Sequence, residues 1–272
     1  MTVKKRSFFV LGVCVLLAAF LWCPTAAADA GSDENDKPMG WYFQRTEDHS
    51  IPPLDANLSY TEQYGAYYAD KNAPADDKRI YLTFDAGYEN GNVEKILDVM
   101  KRHGAKGSFF VLSHLLKAEP VLVRRMAEEG HLVCNHSANH RDMTQLDSDT
   151  FLQELRGLED AYRTLTGEAM APYFRPPEGK FNRRVLERAQ QAGYRTVFWS
   201  FAYCDWDNEK QPDPKQSIDK ILAHTHNGMI LLLHPTSATN AQILDTLLSA
   251  WEADGYRFAL LDELERSEEA AG

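Results

Sequence analysis

The sequence predicts an α/β fold, a distorted (β/α) barrel of about seven strands that is preceded by an irregular N-terminal arm. From residue 79 onward, short apolar runs alternate with segments of helical periodicity, and the connections between them are short. This alternation is typical of a parallel sheet covered by helices. About seven such units in a segment of this length favour a barrel over an open doubly wound sheet. The turn after the first strand, Asp85 to Tyr88, lacks the glycine-rich dinucleotide-binding pattern.

Each predicted strand is a short run rich in apolar residues, and each helix carries apolar residues at helical spacing. The predicted strands are Arg79–Phe84, Gly107–Leu112, His131–Cys134, Pro172–Phe174, Tyr194–Phe201, Gly228–Leu233 and Tyr256–Leu260. The predicted helices are Val93–His103, Val121–Glu129, Asp149–Leu165, Asn182–Ala192, Ser217–His224 and Asn240–Ala253. Glycines follow several helix ends, as expected for residues that terminate helices, and Asn182 is expected to cap its helix.

The first 28 residues are typical of a secretory signal. A basic start, Met1–Arg6, precedes the apolar run Ser7–Cys23, and small residues with Ala-x-Ala spacing follow. We expect cleavage after Ala28, with Ala30 as the second choice. An uncleaved anchor is the alternative, but the apolar run is barely long enough for a hydrocarbon core of ~30 Å. The sequence therefore predicts export, without stable membrane insertion once the signal is cleaved.

The rest of the chain divides into a spacer with an irregular arm (29–78) and one domain (79–266). The arm is rich in Pro, Tyr and Asp, and its aromatic residues are expected to pack on the domain surface. The formal net charge is −11 and becomes −14 when the three cations of the signal are removed. This acid excess excludes a nucleic-acid binder, which would carry a basic stripe. Cys134 and Cys204 remain after cleavage, either as one disulfide or as two separate thiols.

Polar side chains follow five of the predicted strands. The strand ends lead to Asp85, to His136 and His140, to Arg175, to Asp205 and to His234. Because active sites of β/α barrels lie at the carboxyl ends of the strands, these residues are expected to meet on one face.

Each residue alone has a simpler explanation. An aspartate after a strand is often a turn residue, paired histidines are often exposed, and His234 fits a buried core histidine. It is the convergence of five strand ends that indicates a site. The remaining histidines are expected at the surface, except His114, which follows the second strand and could line the site.

The ordered motifs resemble those of the polysaccharide deacetylases, the NodB-homology proteins of carbohydrate esterase family 4. The motifs are Thr83-Phe84-Asp85-Ala86-Gly87, His136-Ser137-x-x-His140, Arg175-Pro176-Pro177-x-Gly179, Asp205-Trp206 and Leu231-Leu232-Leu233-His234. The wider pattern, including Tyr81 to Gly91 and Val197 to Tyr203, resembles the delta-lactam-biosynthetic de-N-acetylases of sporulating bacteria. The resemblance spans about residues 79–265 and implies a NodB-like catalytic domain.

The resemblance also implies a role for each motif residue. Asp85 would be the catalytic base and His234 the catalytic acid, with Arg175 orienting Asp85 and Asp205 orienting His234. His136 and His140 would hold a divalent metal, with Zn²⁺ first and Co²⁺ or Mn²⁺ as alternatives. The expected substrate-binding residues are Trp206, Leu232, Pro176 and Tyr88.

Ala86 departs from the family pattern. Most members carry an aspartate there as a third metal ligand, and the muramic-acid branch carries an asparagine, whereas a methyl group coordinates nothing. Two histidines make an incomplete zinc site. We expect a weaker metal site in which water takes the third position. The alternatives are that Glu89 or Asn90 replaces the ligand, or that the protein binds peptidoglycan with little activity.

The function that follows is metal-assisted N-deacetylation of peptidoglycan glycan strands. The expected target is N-acetylmuramic acid on the way to the muramic delta-lactam of spore cortex. Deacetylation of N-acetylglucosamine, chitin or xylan is the alternative within the class, and a non-catalytic peptidoglycan-binding role is the alternative outside it. The expected location is the cell wall, or the forespore intermembrane space if the protein acts in sporulation.

Overall fold

Seven strands form one curled sheet in which every pairing is parallel, which confirms the predicted distorted-barrel α/β fold. The computed structural model describes residues 36–271, with side chains up to Arg266. Its strands are β1 (Met39–Gly40), β2 (Arg79–Ala86), β3 (Ser108–Val111), β4 (Leu132–Asn135), β5 (Tyr173–Phe174), β6 (Lys180–Phe181), β7 (Arg195–Thr196), β8 (Met229–Leu233) and β9 (Arg257–Phe258). The order in the large sheet is β7-β5-β4-β3-β2-β8, and β9 also pairs with β2. The predicted signal lies outside the described residues.

The central strands are buried because both faces of the curled sheet are covered. Ile80 and Leu82 pack among helix residues such as Leu247, whereas Tyr81 on the other face packs with residues such as Tyr67 of the arm. All five residues of β8 are buried, and six of the eight residues of β2 are. Continuous apolar runs of this kind are typical of parallel strands that have no solvent-facing side.

The predicted strand Tyr194–Phe201 is split, and the split helps to curve the sheet. Its first part is β7, beside β5, whereas Phe201 forms a parallel bridge with Leu231 of β8. Between them, Val197 bridges Tyr67 of the arm. The segment therefore runs from one end of the sheet towards the other and brings the two ends together.

The helices are α1 (Val93–Arg102), α2 (Ser113–Ala118), α3 (Pro120–Glu128), α4 (Ser148–Thr166), α5 (Arg183–Gln191), α6 (Pro214–Ala223), α7 (Ala238–Ala253) and α8 (Asp262–Ala271). Six of them match the predicted helices, whereas α2 and α8 were not predicted. α2 is only six residues long, too short to show a helical period. Asn182 caps α5 as expected, because its side chain accepts a hydrogen bond from the Val185 N–H.

The arm contributes to the core as well as covering it. Trp41 stacks on Phe198 with ring centroids 4.2 Å apart, and its indole N–H donates to the Trp199 carbonyl over 2.8 Å. β1 pairs antiparallel with β6, and Leu58 is fully buried. The expectation of a surface arm was therefore incomplete, because these aromatic residues fill space between α5 and the sheet.

Two histidines expected at the surface are buried. His131 is 5% exposed and accepts a hydrogen bond from the Gly107 N–H, and His226 is 1% exposed with its Nε2 2.9 Å from the Ser200 hydroxyl. The two cysteines of the domain are unpaired, with Cys134 buried and Cys204 exposed. Within residues 36–271, no helix combines the length and the apolar character that crossing a membrane requires.

Candidate active site

A cavity of ≈ 680 Å³ lies at the carboxyl ends of the strands. Seven of the residues singled out from the sequence line it, and Arg175 and Asp205 are buried beside them. The lining residues from the predicted set are Asp85, Tyr88, His136, His140, Trp206, Leu232 and His234. The parallel sheet thus brings together side chains that are far apart in the chain.

His136 is held with one ring nitrogen directed into the cavity. Its Nδ1 lies 2.8 Å from the Arg175 carbonyl, so Nδ1 carries the proton and Nε2 is left as an acceptor. Nε2 lies 3.5 Å from Asp85 Oδ2. Burial lowers the pKa of His136 to about 4, so the ring is neutral at pH 7. A neutral imidazole fixed by a backbone carbonyl is the usual state of a metal-ligating histidine.

The loop after β4 places His140 beside His136. The two rings have centroids 5.1 Å apart at an interplanar angle of 73°. Ser137 and His140 both adopt positive φ, at 67° and 54°, which costs free energy in residues other than glycine. The Ser137 hydroxyl accepts a hydrogen bond from the His140 N–H over 3.0 Å and supports this conformation.

Glu154 of α4 also supports this loop, and the sequence did not indicate that role. Its carboxylate is buried and accepts hydrogen bonds from the Asn139 backbone N–H over 2.8 Å and from the Asn139 side chain over 2.9 Å. The sequence feature that could have indicated this role is a glutamate at one of the apolar-spaced positions of α4. Glutamate is rarely buried without a partner.

Asp85 is ionised by its buried neighbour Arg175. Arg175 is 0% exposed, and its guanidinium donates to Asp85 Oδ1 over 2.8 Å and to the Thr83 hydroxyl over 2.9 Å. Burial raises the pKa of Asp85. The charges of His136 and Arg175 lower it by more than burial raises it, so the pKa lies below its ordinary value. Because His136 is neutral at pH 7, the permanent charge of Arg175 is the one that keeps Asp85 ionised.

His234 and Asp205 form a second buried pair. Asp205 Oδ1 lies 2.7 Å from His234 Nδ1, and Oδ2 accepts the His234 backbone N–H over 2.8 Å. Burial lowers the pKa of His234, but the hydrogen bond and charge of Asp205 outweigh it and leave the pKa above its ordinary value. The Nε2 side of the ring is left for the cavity.

The imidazole rings of His136 and His140 are two side chains that could bind a divalent cation. No cluster of three His, Cys, Asp or Glu side chains arranged to hold a metal occurs among the described residues. Ala86 is fully buried in the apolar core. Glu89 does not replace the missing ligand, because its carboxylate accepts the N–H groups of Gly91 and Val93 over 2.6 and 2.9 Å.

Asn90 is engaged in the same way, since its amide donates to the Thr236 carbonyl over 2.9 Å. The chemistry of the two imidazoles suits zinc, cobalt or a similar ion, with the other coordination positions left to water or substrate.

One of the expected substrate-binding residues does not line the cavity. Pro176 is buried, and its carbonyl accepts the Gly179 N–H over 3.0 Å. This turn brings Glu178 and Gly179 to the cavity instead. Glu178 has a φ of 59° and is exposed. His114, which the sequence analysis gave as a residue that could line the site, is exposed on α2 and is not among the residues that line the cavity.

Comparison with known proteins identifies relatives of this chain. A model of the polysaccharide deacetylase family matches residues 72–197. The chain is 38% identical over 253 residues to the peptidoglycan-N-acetylmuramic acid deacetylase PdaA of Bacillus subtilis, which covers 93% of this chain and 95% of that protein. The solved structure of PdaA, a family 4 carbohydrate esterase, superposes with a TM-score of 0.80 over 85% of this chain and 98% of that one.

Two further relatives differ in what is known of them. An uncharacterized 30.6 kDa protein of Geobacillus stearothermophilus is 41% identical over 261 residues, which is 94% of each chain. A family 4 pseudoenzyme of Bacillus anthracis has 26% identity and a TM-score of 0.63 over 70% of this chain and 66% of that one. The chain belongs to the polysaccharide deacetylase family, the carbohydrate esterase family 4 hydrolases that act on amide bonds.

Proposed function

We propose that the protein is an exported deacetylase that hydrolyses the acetamide of N-acetylmuramic acid in peptidoglycan glycan strands. The observation that carries the proposal is the pair of charged dyads facing one cavity: Asp85 with Arg175, and His234 with Asp205. Amide hydrolysis needs an activated water and a proton for the departing amine, and the two dyads are suited to one task each. The likeness to PdaA supports muramic acid as the target.

Asp85 is suited to act as the base. Its Oδ2 is free of the hydrogen bond that Arg175 makes to Oδ1, and it faces the cavity beside His136. In the proposed reaction, water attacks the acetyl carbonyl carbon and Asp85 takes the proton that the water loses. Arg175 keeps Asp85 ionised and correctly oriented before the reaction.

His234 is suited to act as the acid. Asp205 fixes Nδ1–H as the inward-facing proton and stabilises the imidazolium, so Nε2–H points towards the cavity. As the C–N bond breaks, Nε2 gives its proton to the sugar nitrogen. The free amino sugar and acetic acid, which ionises to acetate, leave the site. Asp85 then releases its proton to solvent and His234 takes one up, so that both groups return to their starting states.

The deacetylases of this family are generally metal-dependent, and His136 and His140 are the residues that would hold the ion here. A bound divalent cation supplies Lewis-acid polarisation of the acetyl carbonyl and stabilises the negative charge that develops on its oxygen. His136 is prepared for that role by its fixed tautomer. Leu232 and Trp206 would enclose the acetyl methyl group, and the exposed ring of Tyr88 would contact the sugar at the entrance.

Acetate release from purified peptidoglycan glycan strands tests the proposal. We expect release in the presence of Zn²⁺, Co²⁺ or Mn²⁺ and its loss on addition of a chelator. Asp85→Asn and His140→Ala should abolish most of it. Arg102→Met, which removes an exposed ion pair outside the cavity, is the matched control. Failure to release acetate with any of the three metals would contradict the proposal. Glycan binding that is unchanged by Asp85→Asn would then favour a binding protein.

Glu178 favours a second candidate, deacetylation of N-acetylglucosamine. Its exposed carboxylate lines the cavity and has no hydrogen bond or ion pair within the described part of the chain. Like charges repel, so Glu178 disfavours the lactyl carboxylate that distinguishes muramic acid. Mass spectrometry of the product strands identifies which sugar loses its acetyl group. If Glu178→Gln speeds muramic-acid turnover while glucosamine turnover is unchanged, Glu178 limits the use of muramic acid.

We also propose that the protein acts in the cell wall after export. The predicted signal supports this location, and so do the peptidoglycan deacetylases among its relatives. A role in spore cortex would place it in the forespore intermembrane space. Immunodetection in wall and cytosolic fractions during growth and sporulation tests both statements, and a signal in the cytosol alone would contradict them.

A further inference from the structure

Asp205 accepts a third hydrogen bond in addition to the two that it accepts from His234. Besides the two bonds from His234, its Oδ2 accepts a bond over 2.6 Å from the side-chain amide of Asn240, in the first turn of α7. Asp205 and Asn240 are each 1% exposed. A buried carboxylate is stable only when its lone pairs are satisfied, so this third donor matters for its orientation.

The amide of Asn240 is fully used, and that fixes which way it faces. Its two N–H groups donate to Asp205 Oδ2 and, over 3.0 Å, to the His234 carbonyl. Its carbonyl oxygen accepts a hydrogen bond from the Tyr203 hydroxyl. A flipped amide would set its oxygen against two acceptors, so the Tyr203 hydroxyl and Asp205 together select one orientation.

The backbone of Asn240 is also fixed by a hydrogen bond. Its backbone N–H donates to Ser237 Oγ over 3.1 Å, and that hydroxyl donates to Gln211 Oε1 over 2.6 Å. Gln211 in turn donates to the Asp205 carbonyl over 3.2 Å. The start of α7 and the loop that carries Asp205 are therefore joined at both the backbone and the side chain.

We propose that Asn240, supported by Tyr203, is a positioning residue that holds Asp205 in the orientation His234 needs to deliver its proton. The inference rests on the proposed function in that His234 is taken as the acid. His234 is the exposed end of the chain of hydrogen bonds, with 26% of its side chain accessible, whereas Asp205 and Asn240 behind it are buried. A ring at an open cavity wall needs such support to keep one orientation during turnover.

Enzyme kinetics test the proposal through its coupling to Asp205. Asn240→Leu removes both donated bonds at similar volume and should lower kcat roughly tenfold with KM nearly unchanged, since a lost hydrogen bond of about 1.4 kcal/mol is worth that factor. In an Asp205→Ala background, the same change should have almost no further effect. An equal loss in both backgrounds would overturn the proposal, because Asn240 would then act independently of Asp205.

Two variants separate positioning from folding. Thr239→Val removes a buried hydroxyl on the same turn that bonds to the Pro212 carbonyl, so it should cost stability without lowering kcat. Tyr203→Phe removes only the hydroxyl that orients Asn240 and should lower kcat about threefold. If Asn240→Leu fails to fold, Tyr203→Phe decides the question in the same two backgrounds. A kcat equal to that of the parent would then refute the proposal.

A measurement without substrate keeps this inference separate from the proposed function. The His234 Nδ1 proton, hydrogen-bonded to Asp205, should be observable by nuclear magnetic resonance as a downfield signal that exchanges slowly with water. We expect at least tenfold faster exchange in Asn240→Leu and the parent rate in Thr239→Val. A parent-like exchange rate in Asn240→Leu would refute the positioning role whatever the substrate proves to be.

Discussion

Replacing Arg175 by methionine is expected to destabilise the protein and to raise the pKa of Asp85. Arg175 is entirely buried, and methionine approximates its length without its charge or its hydrogen bonds. Besides its bond to Asp85, the guanidinium donates to the carbonyls of Val197 and Phe198 over 3.0 and 3.2 Å and stacks 4.1 Å from the Phe110 ring centre. The substitution leaves the two carbonyls buried and unpaired, and it removes the cation from Asp85, whose side chain is only 10% exposed.

The expected loss in the free energy of unfolding follows from the ion pair between Arg175 and Asp85 that the substitution removes. Removing one partner of a buried ion pair costs about 3–5 kcal/mol because the other charge stays buried. Each unsatisfied carbonyl adds roughly 1–3 kcal/mol, partly offset by the apolar side chain that replaces the guanidinium. We therefore expect a loss of at least about 3 kcal/mol. Removing an exposed arginine pair such as Arg102 with Asp245 should cost far less, because water screens the two charges.

The cost should depend on pH in a defined direction. In the parent, the pKa of Asp85 is below its ordinary value of 3.8, so its ionisation stabilises the fold above pH 4 and that contribution is lost as the pH falls. Without Arg175, burial raises the pKa of Asp85 and ionisation opposes folding instead. The difference between parent and variant is therefore largest at neutral pH. It narrows as the pH falls through the raised pKa of Asp85 in the variant, and it narrows further below pH 4, where the parent loses its own stabilising term.

Urea unfolding of the parent, Arg175→Met, Asp85→Asn, the double variant and Arg102→Met, at pH 7 and pH 4, measures these terms. The double variant should be more stable than Arg175→Met alone, because no buried charge is left unpaired. A loss no larger than that of Arg102→Met, or one that does not change with pH, would refute the account of a buried, charge-determining pair.

Three further predictions concern charge at other positions. Asp205→Asn should lower the pKa of His234 and move the basic limb of the kcat/KM profile to lower pH, and an unmoved limb would contradict this pairing. Burial lowers the pKa of His226 from 6.5 to about 4, so the free energy of unfolding should fall by up to ~3 kcal/mol per such histidine as the pH drops across that range. His226→Gln should flatten that dependence in urea titrations, and an unchanged slope would count against it. Ala86→Asp should lower the Tm of metal-free protein by burying a carboxylate. Zinc should raise the Tm of this variant more than that of the parent, and an equal rise would show that position 86 does not contribute to metal binding.

The fold and the position of the cavity could be predicted because both depend on local pattern. The strand β8 and the helix α1 carry their signal within a few residues, as an apolar run and as helical spacing. Parallel strands then place their carboxyl ends at one edge, so the residues that follow them come together whatever the loops do in detail. The same reasoning does not assign catalytic roles, which stay proposals until they are measured.

Other features depend on contacts between segments that are distant in the chain. Pro176 was expected at the substrate, but its turn directs Glu178 to the cavity instead. Asn240 lies 35 residues from the carboxylate that it supports, and nothing in its neighbourhood along the chain distinguishes it from another polar residue of a helix start.

The sequence by itself determined which chemical groups follow each strand, because strand and helix periodicity are local properties. It also determined the absence of a carboxylate at Ala86 and the acidic net charge of −11. Only the tertiary structure decided which groups become partners: Arg175 with Asp85, Asp205 with His234 and Asn240. Burial and hydrogen-bond geometry set the pKa of each group, and both arise from the way the strands pair and the loops pack over them.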